Sequence, residues 1–233
     1  MKGLDDGFLC EGISEDAVFI IGSGHFGSRA ARLLNQKSEE RIFVVDLDKS
    51  SLSQVEELPV RRIVYDGVLF LIQNFSLLKF SSLIVPAVPV HLVFEWLRGY
   101  LETSLEVKRI SLPQEIKPFL PFTWPANDGS LLVSFADFMC PDDCSEPEYC
   151  TVTGERRDTP LYDLISGLEL PGFNIHVIRS KQLAAGLGGY RVSEMAEAAE
   201  MVAKNVEGKW LIGTACRCHG ILTAFETKFF SGK

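Results

Sequence analysis

The sequence predicts an α/β fold with a doubly wound, mainly parallel sheet, and two observations carry this prediction. Short apolar runs alternate with segments of helical composition through the first half of the chain, as in β-α-β units. The first run, 17–21, is uninterrupted and apolar, which is typical of a parallel strand covered on both faces. The segment directly after it is rich in glycine, which indicates a tight turn between this strand and a helix.

This glycine-rich segment, 22–27, matches the pattern G-x-G-x-x-G. The first glycine, Gly22, permits the sharp turn, Gly24 leaves room for a phosphate, and Gly27 lets the helix pack closely on the strand. Asp46 ends the next apolar run, near the spacing of about 20 residues at which an acid binds a ribose. The motif therefore predicts a Rossmann-like fold that binds a dinucleotide, with NAD(H) favoured because Asp46 would repel a 2′-phosphate.

Further apolar runs continue the alternation. The sequence predicts strands over 62–65, 82–85 and 107–112 and an amphipathic helix over 90–102. We expect the strands to extend one sheet through right-handed crossovers. The chain then divides into a dinucleotide-binding domain, 1–112, and a cysteine-rich α/β portion, 113–233, which could continue the same sheet. Within that portion, the glycine-rich segment 181–190 is predicted as a loop or a helix start.

The stretch VFIIGSGHFGSRAARLL, followed by FVVDLD and IVYDG, resembles the nucleotide-binding domain of bacterial potassium-uptake regulators of the TrkA-N (KTN) type. The resemblance covers about residues 15–112 and implies binding of NAD(H) or adenine nucleotides. It implies a ribose contact from Asp46 and adenine-side contacts around Asp66. The chain after residue 112 departs from that family. The residues expected to bind the cofactor are Gly22, Gly24, His25, Phe26, Gly27, Asp46 and Asp66.

Five of the six cysteines fall in two short clusters, each directly after a predicted strand, and only Cys10 stands apart. The first cluster has the pattern C-x3-C-x5-C, and the second has the sequence CRCHG. Sites rich in thiolates suit tetrahedral Zn²⁺ or an iron–sulfur cluster. The expected metal ligands are Cys140, Cys144, Cys150, Cys216, Cys218 and His219.

Two other interpretations of the cysteines stay open. They could form a redox pair or supply one reactive thiol beside a nicotinamide, or they could share no role. Ligands of open α/β sheets bind outside the carboxyl ends of the strands, so both clusters could lie on the edge that carries the glycines. The metal and the dinucleotide would then be neighbours.

Charge and hydropathy argue against two classes of partner. The 233 residues include 23 Lys and Arg against 31 Asp and Glu, for a formal net charge of −8, and no basic patch is visible. This argues against a nucleic-acid partner. The longest uncharged apolar stretch, 80–94, contains two prolines and is too short to span a bilayer. The N-terminus has acids where a signal peptide needs an apolar core, so a cytoplasmic location is expected.

Together these features predict a cytoplasmic NAD(H)-binding protein with a cysteine-ligated zinc or iron–sulfur site and a role in redox or ligand sensing. A sensing role is favoured because the sequence shows no obvious acid–base constellation and resembles regulatory domains. The expected partners are the dinucleotide and either a protein that receives the signal or further copies of the chain in a homo-oligomer. The alternative is an NAD-dependent oxidoreductase that uses the metal or a reactive cysteine, so whether the protein is an enzyme stays open.

Overall fold

A computed structural model describes residues 13–35 and 41–230, so Cys10 lies outside the described residues. The helices are α1 His25–Asn35, α2 Lys49–Ser53, α3 Gly67–Asn74, α4 Leu92–Leu101, α5 Leu161–Ser166 and α6 Val192–Lys204. Short 3-10 helices are Phe75–Leu77 and Gln114–Phe119. The strands are β1 Val18–Ile21, β2 Ile42–Asp46, β3 Arg61–Val64, β4 Leu83–Pro86, β5 Leu105–Arg109, β6 Phe122–Pro125, β7 Leu131–Ser134, β8 Phe173–Arg179, β9 Lys181–Ala184, β10 Leu187–Arg191, β11 Gly208–Ala215 and β12 His219–Phe229.

The fold is mixed α/β and contains two mixed sheets. The first sheet has the order β3-β2-β1-β4-β10-β9. Its first four strands run parallel, and Val18 of β1 lies between Ile42 of β2 and Leu83 of β4. β10 then adds antiparallel to β4 and forms a hairpin with β9. The strands predicted over 62–65 and 82–85 correspond to β3 and β4.

The second sheet has the order β6-β7-β12-β11-β8. β12 is its longest strand and pairs with β11 along one edge, while β7 and β5 follow one another along the other edge. β8 and β11 are parallel and the remaining pairs are antiparallel. Each sheet thus contains strands from both parts of the chain. β5, which comes before residue 112, joins the second sheet, and β9 and β10, which come after it, join the first.

The expectation that 107–112 extends the parallel sheet is wrong. The strand found there, β5, pairs antiparallel with β12, with Val107 opposite Thr227. Its side chains alternate between more and less exposed positions, unlike the uniformly buried β1. Such alternation suits a strand with one face on the core and one toward water, which is typical of antiparallel sheets.

The largest hydrophobic core lies between the two sheets. It joins Phe19 of β1 and Trp96 of α4 to Trp210 and Phe225 of the second sheet. The rings of Trp210 and Phe225 stack with centroids 6.3 Å apart, and Phe94 packs 5.5 Å from Phe225. Burying each such side chain contributes about 1.5–3 kcal/mol, so this shared core holds the two sheets in a fixed arrangement. Among the described residues, no helix has both the length and the apolar character needed to cross a bilayer.

A buried histidine adds a polar link between the sheets. His91 precedes α4 and is 1% exposed. Its Nδ1 lies 2.7 Å from the hydroxyl of Thr223 in β12, and its Nε2 lies 2.7 Å from the hydroxyl of Thr214 in β11. Its backbone N–H donates to Asp128 at 3.0 Å. A neutral imidazole has one donor and one acceptor nitrogen, so both are satisfied here.

Candidate functional site

The glycine loop, 22–27, connects β1 to α1 and contains two glycines that packing requires. Gly22 has φ 99°, and a Cβ there would clash with the carbonyl oxygen of Ala87. A Cβ at Gly27 would clash with the carbonyl oxygen of Gly22. A Cβ at Gly24 would meet no atom within 4 Å. The backbone at Gly24 is therefore the part of the loop that a ligand can approach.

Asp46 is the last residue of β2, and Asp66 follows β3. Both lie on the side of the sheet that carries the glycine loop. Asp46 accepts hydrogen bonds from the backbone N–H of Ser23 at 2.6 Å and from its hydroxyl at 3.0 Å. Its other oxygen accepts from the N–H of Asp48 at 2.8 Å. Asp66 caps α3 by accepting from the N–H of Leu69 at 2.9 Å. Asp46 thus touches the glycine loop directly, whereas Asp66 acts in this structure as a helix cap.

The two remaining residues predicted at the loop, His25 and Phe26, point toward the cysteines. The Nε2 of His25 lies 2.7 Å from a carboxylate oxygen of Asp142, which belongs to the first cysteine cluster. Phe26 is exposed and lines a cavity that this cluster shares. The structure therefore brings the glycine loop and the first cysteine cluster into contact.

The β9–β10 hairpin holds this first cluster, the cysteine loop 140–150, in place. The N–H of Gly186 donates to the carbonyl of Cys144 at 2.7 Å, and the side-chain amide of Gln182 donates to it at 3.0 Å. Arg29 of α1 in turn donates to the carbonyl of Ala185 at 2.9 Å. The hairpin thus connects the cysteine loop to the helix that follows the glycine loop.

The second cluster is the tight turn between β11 and β12, and we call 216–219 the cysteine turn. The Cys140 sulfur lies 3.5 Å from Nε2 of His219, so donors from both clusters meet. The Cys216 sulfur lies 3.9 Å from Nδ1 of His219 and accepts from its backbone N–H at 3.4 Å. The structure thus brings residues of the two cysteine clusters into contact.

Sequence reasoning missed one donor, Glu146. One ligand atom each of Glu146, Cys216 and His219 lies within 4.8 Å of the others. A carboxylate oxygen of Glu146 also accepts from the N–H of Arg217 at 3.2 Å. The signal in the sequence was weak. Glu146 lies between two cysteines of the same loop, but acids are common in loops.

Burial dominates the electrostatics of the cysteine turn. It raises the pKa of the Cys216 thiol to about 12, and the negative charge of Glu146 acts in the same direction. It raises the pKa of Cys218 to about 11 and lowers the pKa of His219. A bound cation opposes this effect by stabilising the thiolate, so metal binding here would release protons.

In the cysteine loop, burial and hydrogen bonds shift the pKa values of two thiols in opposite directions. Burial raises the pKa of Cys140, and the charges of Cys144 and Cys150 raise it further. Hydrogen bonds from the backbone and side chain of Thr153 lower the pKa of Cys150 to about 7. The loop thus holds one thiol whose pKa lies near neutral pH, Cys150, and one whose burial favours the protonated form, Cys140.

A cavity of about 420 Å³ lies between the glycine loop and the cysteines. Its walls include Phe26, Pro86 at the end of β4, Cys140, Glu146, Cys216 and His219. The volume falls within the range of about 300–1,000 Å³ that small-molecule sites occupy. The arrangement can therefore hold a small ligand that contacts Phe26 and the cysteine cluster together.

The fold and this site define a two-sheet α/β protein in which a glycine loop faces a cysteine–histidine cluster. A protein-family model with the description "Uncharacterized protein, C-terminal domain" (AF_1314_C) matches residues 92–228, which include both cysteine clusters. An "Uncharacterized protein" of Archaeoglobus fulgidus is 30% identical over 223 residues, covering 89% of this chain and 98% of that relative. The chain belongs to this family. No solved structure matches it.

Proposed function

We propose that this protein binds a dinucleotide, NAD(H) by preference, on a Rossmann-like set of strands and carries a cysteine-ligated metal centre beside it. Its role would be to sense redox state or a ligand in the cytoplasm. The observation that carries the proposal is a cavity whose wall contains Phe26 of the glycine loop together with residues of both cysteine clusters. The free thiols of the five described cysteines are consistent with a reducing compartment.

The strand order supports the dinucleotide. In the order β3-β2-β1-β4, the chain reverses its direction of winding between β1 and β4. Open α/β sheets bind ligands outside the carboxyl ends of the strands at such a switch point. The glycine loop follows β1 there, and the N-terminus of α1 supplies amides and a dipole that favour a pyrophosphate. The open backbone at Gly24 leaves room for it.

The position of Asp46 supports NAD(H) over NADP(H). Its carboxylate accepts three hydrogen bonds, from Ser23 twice and from Asp48 once. An ionised carboxylate has about four acceptor positions, so it can still accept from a ribose hydroxyl. A 2′-phosphate in the same place would meet its negative charge.

The donor chemistry supports a metal. With Zn–S and Zn–N bonds of about 2.3 and 2.1 Å, a thiolate and an imidazole on one tetrahedral zinc lie about 3.5 Å apart. The distance from the Cys140 sulfur to Nε2 of His219 is 3.5 Å. A carboxylate and an imidazole beside thiols favour Zn²⁺ over an iron–sulfur cluster, which proteins hold mostly through thiolates.

The contact between His25 and Asp142 supports a sensing role. His25 is the first residue of α1, where the dinucleotide phosphates would lie, and Asp142 lies within the cysteine loop. A change in metal or thiol state that moves this loop would alter the charge beside the phosphates. Binding at either site would thus shift the affinity at the other, as reciprocal coupling requires.

A second candidate is an NAD-dependent oxidoreductase, and the position of Pro86 favours it. Pro86 ends β4 and lines the same cavity as Cys216 and His219. A dinucleotide whose pyrophosphate lies on the glycine loop would direct its nicotinamide toward the β4 side of the switch point. The metal would then face the reactive ring, which is the arrangement that metal-assisted hydride transfer needs.

The first test is a pair of substitutions at Gly24. Because its Cβ position is open, Gly24→Ala and Gly24→Asp should both fold, and Gly24→Asp should lose on the order of 100-fold in NADH affinity by repelling the pyrophosphate, a larger loss than that of Gly24→Ala, which adds only a methyl group. Calorimetric titration with NADH and NADPH, with circular dichroism as the folding control, measures both effects. Equal NADH affinity of Gly24→Asp and wild type, or no binding by wild type, would refute the dinucleotide assignment.

A further inference from the structure

We propose that two copies of this chain form a symmetric dimer in which Phe80 of each copy inserts into an apolar groove of the other. The groove lies between the segment 75–80, the end of α4 and one face of α6, and we call it the α6 groove. Its walls contain neither the glycine loop nor either cysteine cluster. The inference therefore goes beyond the proposed function and does not depend on it.

The α6 groove has the size and the lining of a preformed binding site. Its volume is about 680 Å³, compared with about 420 Å³ for the cavity beside the cysteines. Phe75 and Tyr100 line it with ring centroids 5.2 Å apart, and Tyr100 stacks at 4.9 Å on the buried ring of Trp96. α6 lines it mainly with small side chains, namely Ala196, Ala199 and Ala203. Because these rings pack on one another and on the core, little reorganisation opposes binding.

Phe80 is an exposed aromatic side chain on a fixed backbone at the rim of the α6 groove. It is 69% exposed. Its carbonyl accepts from the N–H of Ser193 at 3.1 Å, and the carbonyl of Ser82 accepts from the N–H of Val192 at 3.0 Å. Both donors lie at the start of α6, so the backbone of Phe80 is tied to the helix that lines the groove. Aromatic side chains that fill a pocket on a partner supply a large share of the binding energy in protein interfaces.

A second copy of the chain is the occupant that fits both features. The exposed ring and the groove belong to the same face, and a two-fold axis brings such a face against its own copy, so that each ring meets the other groove. Both apolar surfaces are then removed from water. A small apolar ligand would fill the groove but leave the outer face of Phe80 in water.

Charges on this face are complementary between two copies. Lys79 directly precedes Phe80 and makes no ion pair within the described part of the chain. Glu200 lines the groove, and its exposed carboxylate contacts Lys204 of the same helix at 3.1 Å. When Phe80 of one copy enters the groove of the other, Lys79 of the first approaches Glu200 of the second. This pair forms twice in the dimer and favours a second copy over an uncharged ligand.

The position of the α6 groove leaves the candidate functional site open. Phe80 comes before β4, and Glu15, which also lines the groove, comes before β1. The two strands run parallel, with Val18 opposite Leu83, so both residues lie at the edge of the sheet where these strands begin. The glycine loop follows the end of β1. The dimer therefore joins the two copies at the edge opposite their glycine loops.

Analytical ultracentrifugation of the full chain, from about 1 to about 100 μM, tests the dimer. We expect wild type to sediment as a dimer and Phe80→Ser to raise the dissociation constant on the order of 100-fold, because one ring is lost from each of two contacts. The control is Leu77→Ser, which changes a 47% exposed side chain of the same segment outside the groove wall and should keep the wild-type constant. Circular dichroism checks that both variants fold. A wild type that stays monomeric at the highest concentration, or equal constants for wild type and Phe80→Ser, would overturn the proposal.

Two charge substitutions test the contact between copies. Lys79→Glu and Glu200→Lys each bring like charges together in a homodimer, so each alone should raise the dissociation constant about tenfold. An equimolar mixture of the two variants can form a heterodimer in which both pairs are complementary, and it should regain the wild-type constant. A mixture that associates no better than either variant alone would refute this arrangement of the two copies. Native mass spectrometry detects the other occupant, because a monomer that carries a copurified apolar molecule would identify the groove as a ligand site and contradict the dimer.

Discussion

Replacing His91 by glutamine should flatten the dependence of stability on pH between about 6.5 and 4. Burial lowers the pKa of His91 to about 3, with the charge of Arg109 acting in the same direction and that of Asp128 opposing it. In the unfolded chain the pKa returns to about 6.5. Between these two values the unfolded state binds a proton that the folded state does not. The contribution of His91 to the free energy of unfolding is therefore fully present above about pH 6.5 and is lost as the pH falls.

The magnitude follows from the difference between the two pKa values. Each pKa unit corresponds to about 1.4 kcal/mol, so the full loss by pH 3 is about 5 kcal/mol and the loss by pH 4.5 is about 2–3 kcal/mol. The source of this loss is the desolvation of an imidazolium enclosed by the hydroxyls of Thr214 and Thr223. When both ring nitrogens carry protons, both hydroxyls must accept, so the hydroxyl that donates to the neutral ring would have to rotate.

The assay is urea unfolding of wild type and His91→Gln at half-unit steps from pH 7 to pH 4. The variant loses stability at all pH values because glutamine does not reproduce both ring contacts of His91, so the informative quantity is the slope. His176 and His219 also have pKa values lowered by burial and contribute to both slopes, so they cancel in the difference. His176→Gln, as the control, should keep most of the wild-type slope. Parallel curves for wild type and His91→Gln would refute the assignment of a buried, neutral His91.

Two further predictions concern the glycine loop and the metal. Gly27→Ala should lower the free energy of unfolding by about 1–3 kcal/mol, because its Cβ would clash with the carbonyl of Gly22; denaturant unfolding measures this, and a variant as stable as Gly24→Ala would contradict it. Cys144→Ser should lower metal content and the thermal midpoint together, because metal-binding free energy is part of folding free energy; full metal content by elemental analysis would contradict it.

Local patterns predicted the glycine loop and the strands around it. The run 17–21 is apolar at every position because β1 is covered on both faces, and that burial is visible in composition alone. Gly27 packs against Gly22 of the same β-turn-α unit, so the motif reports mostly local geometry, while the close contact of Gly22 with Ala87 depends on the neighbouring strand β4. The partners of each strand in the second sheet depend on distant residues, and the sequence did not predict them.

The segment 181–190 does not form the predicted loop or helix start. It forms the β9–β10 hairpin, and its glycines serve close packing rather than flexibility. A Cβ at Gly189 would lie 2.8 Å from the carbonyl oxygen of Ile84 in β4, and a Cβ at Gly188 would clash with Ser180. A glycine within a strand can mark a place where another backbone packs closely. In the sequence alone, where the neighbouring strand is unknown, such glycines look the same as the glycines of a loop.

The hairpin also explains why the candidate metal centre belongs to the whole fold rather than to the second half. β10 joins the first sheet through β4, and Gly186 at the hairpin turn fixes the carbonyl of Cys144. Cys216 and His219 lie in the second sheet, so the donors come together only while both sheets keep their arrangement. A metal ion held by both clusters would therefore stabilise the junction of the sheets. The same junction forms the wall of the cavity, so metal occupancy and the shape of the proposed dinucleotide site would change together.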